Sequence, residues 1–209
     1  MLSTITEIVG PPESGKSFVF DYIKQNYNLE SLNCIRPESS SYPQCALLEA
    51  IADPDNFTKI MPWILAISKA AHYENTEIIS TYKKSAVVTN YFWTWAMLAY
   101  QFNIPFGKEV LDYFIIPKCV IAMPGWLSSA GSVIPTKFSQ SFRLRFESSK
   151  YTSQFINNTC ANVLGIKPQV KILRLNGLST LSSKYKEIDE FLPNRKTQNY
   201  TNVAYWSTS

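Results

Sequence analysis

An α/β fold, a parallel sheet flanked by helices on both faces, is what three observations in this 209-residue chain predict. Apolar stretches alternate with amphipathic ones along its length. The apolar stretches are short and near-continuous, as strands covered on both sides must be. The first of them runs into Gly10-Pro-Pro-Glu-Ser-Gly-Lys16-Ser17 and then a helix, matching G-x-x-x-x-G-K-[ST], the phosphate-binding pattern of P-loop NTPases. The length suits one such domain with a well-buried core. Residues 1–192 are expected to make up that domain, and a polar, aromatic tail follows over 193–209.

Taken in order, Thr4-Ile-Thr-Glu-Ile-Val9 is the first strand, and Phe18-Val-Phe-Asp-Tyr-Ile23 carries the spacing of the helix after it. Further strands are expected at 32–35, 86–89, 119–123 and 170–175. Helices are expected at 16–27, 43–52, 55–81, 91–102, 107–112, 145–164 and 180–192. Pro54 and Pro62 start or break the third of these. Two loops follow strand ends: Arg36-Pro-Glu-Ser-Ser-Ser-Tyr42, and the stretch from Pro124 to Phe142, rich in Gly, Ser and Pro. Ligands of open α/β sheets gather at that end of the strands.

Composition narrows the classes. Lys and Arg number 20 against 16 Asp and Glu, a formal charge of +4. That suits anionic nucleotides without marking a duplex nucleic-acid binder. Cys34, Cys45, Cys119 and Cys160 are far apart and there is one histidine, so neither a zinc site nor a disulfide framework is expected. Reduced thiols point to the cytoplasm. Glu7 lies among apolar residues with no basic segment before it, so no signal peptide is expected, and no apolar run has the length of a membrane span.

The loop pattern has a definite chemistry. Backbone N–H groups of residues 12–17 turn inward at a helix N-terminus and meet phosphate oxygens. Gly10, Glu13, Ser14, Gly15, Lys16 and Ser17 are the candidate ATP-binding residues, with Lys16 at the β/γ-phosphates and the Ser17 hydroxyl on Mg²⁺. Arg36 can make two parallel bonds to a phosphate, or pair on the surface with Glu38.

Trp63-Ile-Leu-Ala66-Ile-Ser-Lys69-Ala-Ala-His72 resembles the L-L-F-A-A-D-R-A-Q-H helix of the thymidylate kinase family. Ala86-Val-Val-Thr-Asn90-Tyr91 is similar to its V-I-C-D-R strand, and Ala99-Tyr100-Gln101 to its A-Y-Q. Arg145-Phe-Glu147 resembles the R-I-E closing its lid, and Arg36-Pro-Glu38 sits where the family carries R-E-P or P-E-R. The resemblance implies a five-stranded parallel sheet, ATP with Mg²⁺, and a pocket for a nucleoside monophosphate. It also implies a lid at roughly 124–147 that brings an arginine to the transferring phosphoryl group, Arg143 or Arg145, with Arg145 the better fit. Arg36 would hold the acceptor phosphate, Lys69 would read the base edge, and Tyr100, followed by Gln101, would pack against the sugar. Leu65 aligns with the aromatic that stacks on the base. Catalysis of this kind is mostly positioning and charge neutralisation.

The sequence departs from that family at its D-R pair, which reads Asn90-Tyr91. An amide brings no negative charge to Mg²⁺. The position before Gly10 is Val9, leaving Glu13 as the nearby carboxylate. Trp93 and Trp95 could stack on a base or pack in the core, and His72 reads as packed or surface. Three functions follow. One is an ATP-dependent kinase acting on a nucleotide or other nucleobase-bearing acceptor. Another is a kinase acting on a hydroxyl of a base or end in DNA; aromatics that stack on unpaired bases are compatible with it, but a nucleic-acid partner is not favoured. The third is a degenerate kinase that binds nucleotide or a partner without turnover. The run Phe92-Trp-Thr-Trp-Ala-Met-Leu98 could form a homodimer contact or pack inside.

Overall fold

The computed structural model describes residues 4–10, 14–32, 65, 68–69, 71–89, 91–101, 107–123, 149–165, 167, 169–176 and 179–193. Five strands, β1 (Ile5–Val9), β2 (Glu30–Ser31), β3 (Ala86–Thr89), β4 (Cys119–Ala122) and β5 (Lys171–Arg174), form one sheet in the order β2-β3-β1-β4-β5. Every pairing is parallel. The α/β class and the five-stranded parallel sheet expected from the sequence are therefore present.

The α-helices with described bounds are α1 (Lys16–Asn26), α2 (Phe92–Gln101), α3 (Ser149–Asn158) and α4 (Leu181–Phe191). Strand side chains alternate between faces, which splits the core in two. Ile8, Val87 and Ile121 pack with Val19 and Ile23 of α1 and Ile188 of α4. Ile5, Val9, Val88 and Val120 pack on the other face with α2 and with Phe155 and Ile156 of α3. The rings of Tyr22 and Tyr185 stack 3.8 Å apart and join α1 to α4. Asp189 accepts hydrogen bonds from the hydroxyls of Tyr22 at 2.8 Å and Tyr27 at 2.7 Å.

Several boundaries differ from the sequence reading. The strand expected at 32–35 lies outside the described residues except for Leu32, which is buried off the ladder; the described pairing on β3 is Glu30–Ser31, with Ser31 against Val87. β5 is exposed at Lys171 and Arg174 and half-buried at Ile172 and Leu173, and among the described residues only β4 pairs with it. Helical residues 71–76 run into a π-helix at Glu77–Thr81, where Tyr82 N–H reaches back five residues to the Glu77 carbonyl at 3.0 Å. Another π-helix, Thr159–Leu164, extends α3 until Gly165 turns left-handed at φ 64°. The segment expected at 107–112 is a 3-10 helix, Lys108–Asp112.

Residues Phe92 to Met97 of α2 are all buried. Trp93 is fully enclosed, and its indole N–H donates to the Pro117 carbonyl at 3.1 Å. The apolar run weighed as a homodimer contact is core over those residues, and Trp93 and Trp95 are packed rather than available for stacking. Among the described residues no helix is long and apolar enough to cross a membrane.

Candidate functional site

The sheet order places β1 in the middle. Its own connection leads toward β2 on one side, while its other neighbour, β4, connects outward to β5. A crevice opens beyond the C-terminal ends of two strands whose connections diverge in this way. Gly10 and Met123 stand there, just past the ends of β1 and β4, tied by a hydrogen bond from Met123 N–H to the Val9 carbonyl at 2.8 Å.

The glycines of the loop are required for different reasons. A Cβ on Gly10 would lie 2.6 Å from the Met123 Cβ and 3.0 Å from the Ser14 hydroxyl, so the close approach of two backbones excludes any side chain. Gly15 has room, its nearest neighbour being the Met123 methyl at 3.8 Å, but its φ of 86° puts it in the left-handed region. Met123 therefore forms the floor of the loop, a role that no motif announces.

Gly15 is the N-cap of α1 and offers no side-chain acceptor, and the first turn of the helix holds no acidic residue. Such an end presents backbone N–H groups and partial positive charge. Lys16, half-buried, turns its ammonium back onto the Gly10 carbonyl at 2.9 Å. The Ser14 hydroxyl is buried beneath the loop without a hydrogen-bond partner. Ser17 and Phe18 are exposed. The structure thus brings Gly10, Ser14, Gly15, Lys16 and Ser17 together, while Glu13 lies outside the described residues. Among the described residues no group of three or more His, Cys, Asp or Glu gathers to hold a metal ion.

The carboxylate that matters most was not among the predicted site residues. Glu7, three positions before Gly10, is completely buried on the α2 face of β1. It accepts from the N–H groups of Tyr91 at 3.0 Å, Trp93 at 2.7 Å and Thr94 at 3.0 Å, and from the Thr94 hydroxyl at 2.8 Å. It is a cap for the N-terminus of α2 supplied by a distant strand. Burial pushes its carboxyl up from 4.5 to about 7, against the pull of the bonds from Thr94, Trp93 and Tyr91. The one sequence signal was an acid inside an apolar strand, which demands partners.

Tyr91, at the position of the resembled arginine, is also structural. It is buried, its hydroxyl accepts from Ile115 N–H at 3.1 Å, and its ring meets Phe114 edge-on. Leu65 packs against the same core, so it offers no stacking face. Lys69 lies with its ammonium 5.6 Å from the centre of the Tyr113 ring, a cation–π contact. His72 meets the Thr76 hydroxyl at 3.5 Å and has its Nδ1 buried without a partner. The backbone of Tyr100 and Gln101 closes α2; their side chains, and Arg36, Arg143, Arg145 and the lid, lie outside the described residues.

No protein-family model matches this chain, and no curated protein matches it.

Proposed function

We propose that this protein is a P-loop phosphotransferase: it binds ATP at Gly10–Ser17 and passes the γ-phosphoryl group to a nucleotide or other nucleobase-bearing acceptor. The observation that carries this is the N-terminus of α1, capped by a left-handed glycine, with Lys16 beside it and the partnerless Ser14 hydroxyl beneath. Those groups supply what a triphosphate requires: N–H donors, a mobile point charge and a hydroxyl. On binding, the Lys16 ammonium would exchange the Gly10 carbonyl for phosphate oxygens. Mg²⁺, held through the Ser17 hydroxyl, would neutralise charge on the β- and γ-phosphates. The resemblance to thymidylate kinases, with Arg36, Lys69, Tyr100 and Gln101 for the acceptor and Arg143 or Arg145 for the lid, supports the same chemistry.

A second reading, nucleotide binding without turnover, is favoured by one specific observation. The two groups nearest the resembled D-R position, Tyr91 and Glu7, are committed to the core and to the cap of α2. Neither can hold metal or phosphate while α2 stays formed. A coupled ADP-release assay over nucleosides and deoxynucleotides, with Mg²⁺ and with Mn²⁺, separates the two. Transfer to any acceptor that is lost in Lys16→Ala supports the first reading. ATP affinity at the loop lost in Lys16→Ala with no transfer supports the second, and absence of ATP affinity at the loop overturns both.

A further inference from the structure

The end of the sheet opposite the loop gathers charge. Lys83 and Lys84 precede β3, Lys118 precedes β4, and Lys171 opens β5. Because all the strands are parallel, positions scattered from 83 to 171 meet at one rim. All four line a cavity of about 740 Å³ there. Glu30 is the one carboxylate in its described lining, and Lys84 takes it at 2.7 Å. Among the described residues Lys83, Lys118 and Lys171 form no ion pair. The Lys171 N–H bonds the Lys118 carbonyl at 2.8 Å, so these two residues rise from adjoining backbones at the rim. An adjoining cavity of about 280 Å³ shares Lys118 and Gln169 and adds Lys167.

A cavity lined by three lysines outside any ion pair among the described residues favours an anion. The rest of the lining says what kind. Leu29, Phe191 and Leu192 supply an apolar wall, and Thr4, Asn28 and Gln169 supply neutral hydrogen-bonding groups. A bare ion would use neither. The volume falls in the range of small-molecule sites. Lys83 is held left-handed at φ 52°, the one non-glycine in that region among the described residues. Such strain gathers at ligand clamps.

We propose that this basin is a second ligand site, which takes an organic phosphate of nucleotide size through Lys83, Lys118 and Lys171, with its apolar portion against Leu29 and Phe191. The site stands apart from the loop, on the far side of β1, and does not depend on phosphoryl transfer there. Cys119 lines the basin and is half-buried, which makes its thiol a reporter.

The test follows N-ethylmaleimide modification of Cys119 by peptide mass spectrometry, in the full chain and in Lys16→Ala, with ATP as probe. ATP is expected to slow modification in both proteins. Lys118→Gln and Lys171→Gln, both at exposed residues, should each raise the ATP concentration needed about tenfold. Equal protection in the double variant, or no protection by ATP in Lys16→Ala, overturns the proposal. So does protection by a single-stranded oligonucleotide without protection by ATP, which would make the basin a strand-binding surface. Failure of the loop to bind ATP would leave the expected protection unchanged, so the two claims fail separately.

Discussion

Glu7→Gln tests how the strand before the loop holds α2. In the wild-type fold the carboxyl is raised by burial from 4.5 to about 7. At about 1.4 kcal/mol per pKa unit, ionising it inside the protein costs about 3 kcal/mol relative to the unfolded chain. The sign follows from proton binding. Between pH 4.5 and 7 the folded state holds a proton that the unfolded state has released, so stability falls as pH rises through that window. Below 4.5 the contribution is complete, and above 7 it is lost. Glutamine keeps the volume and one oxygen but turns an amide toward one of the N–H donors, at a pH-independent cost of about 1–3 kcal/mol. Urea denaturation of both proteins from pH 4.5 to 8 should therefore show the wild-type advantage shrinking by about 3 kcal/mol. An advantage that stays constant, or grows toward alkaline pH, would refute the reasoning. It would mean that the four donors and the helix end favour the anion by more than burial penalises it.

Gly10→Ala should lower stability by about 1–3 kcal/mol and abolish ATP binding at the loop, since its Cβ meets that of Met123; thermal melts, and calorimetry with Lys118 and Lys171 changed to Gln, report both. Gly15→Ala has space, so it should cost only the left-handed backbone, about 1–2 kcal/mol by the same melts. Tyr91→Phe leaves the Ile115 N–H without its acceptor. It should destabilise by about 1–3 kcal/mol in urea titrations while ATP binding is unchanged, and a loss of binding would make Tyr91 a site residue after all. Asp189→Asn weakens the acceptor shared by Tyr22 and Tyr27, so its cost should exceed that of either tyrosine changed to Phe in a double-mutant cycle.

What could be read from the chain was local, and what could not was relational. Strands 86–89 and 119–122 and the start of α1 at Lys16 follow from apolar runs and the glycine-bounded loop, and the structure places them within a residue or so of expectation. Leu32, as apolar as a strand residue, is buried next to the described pairing at Glu30–Ser31 without laddering. Trp93 and Trp95 could stack or pack by sequence, and the burial of every residue from Phe92 to Met97 decides for packing. Glu7 was visible as an acid in an apolar strand, but its partners lie 84 to 87 residues away and depend on β1 lying beside β3. Met123 beneath the loop and the lysines at the opposite rim likewise become neighbours only once the strand order is known.

The most direct measurement is calorimetric titration of ATP with Mg²⁺ into the wild-type protein and into Lys16→Ala. The account predicts binding at Gly10–Ser17 that weakens at least tenfold in the variant, the equivalent of about 1.4 kcal/mol. Equal affinity in the two proteins would contradict it.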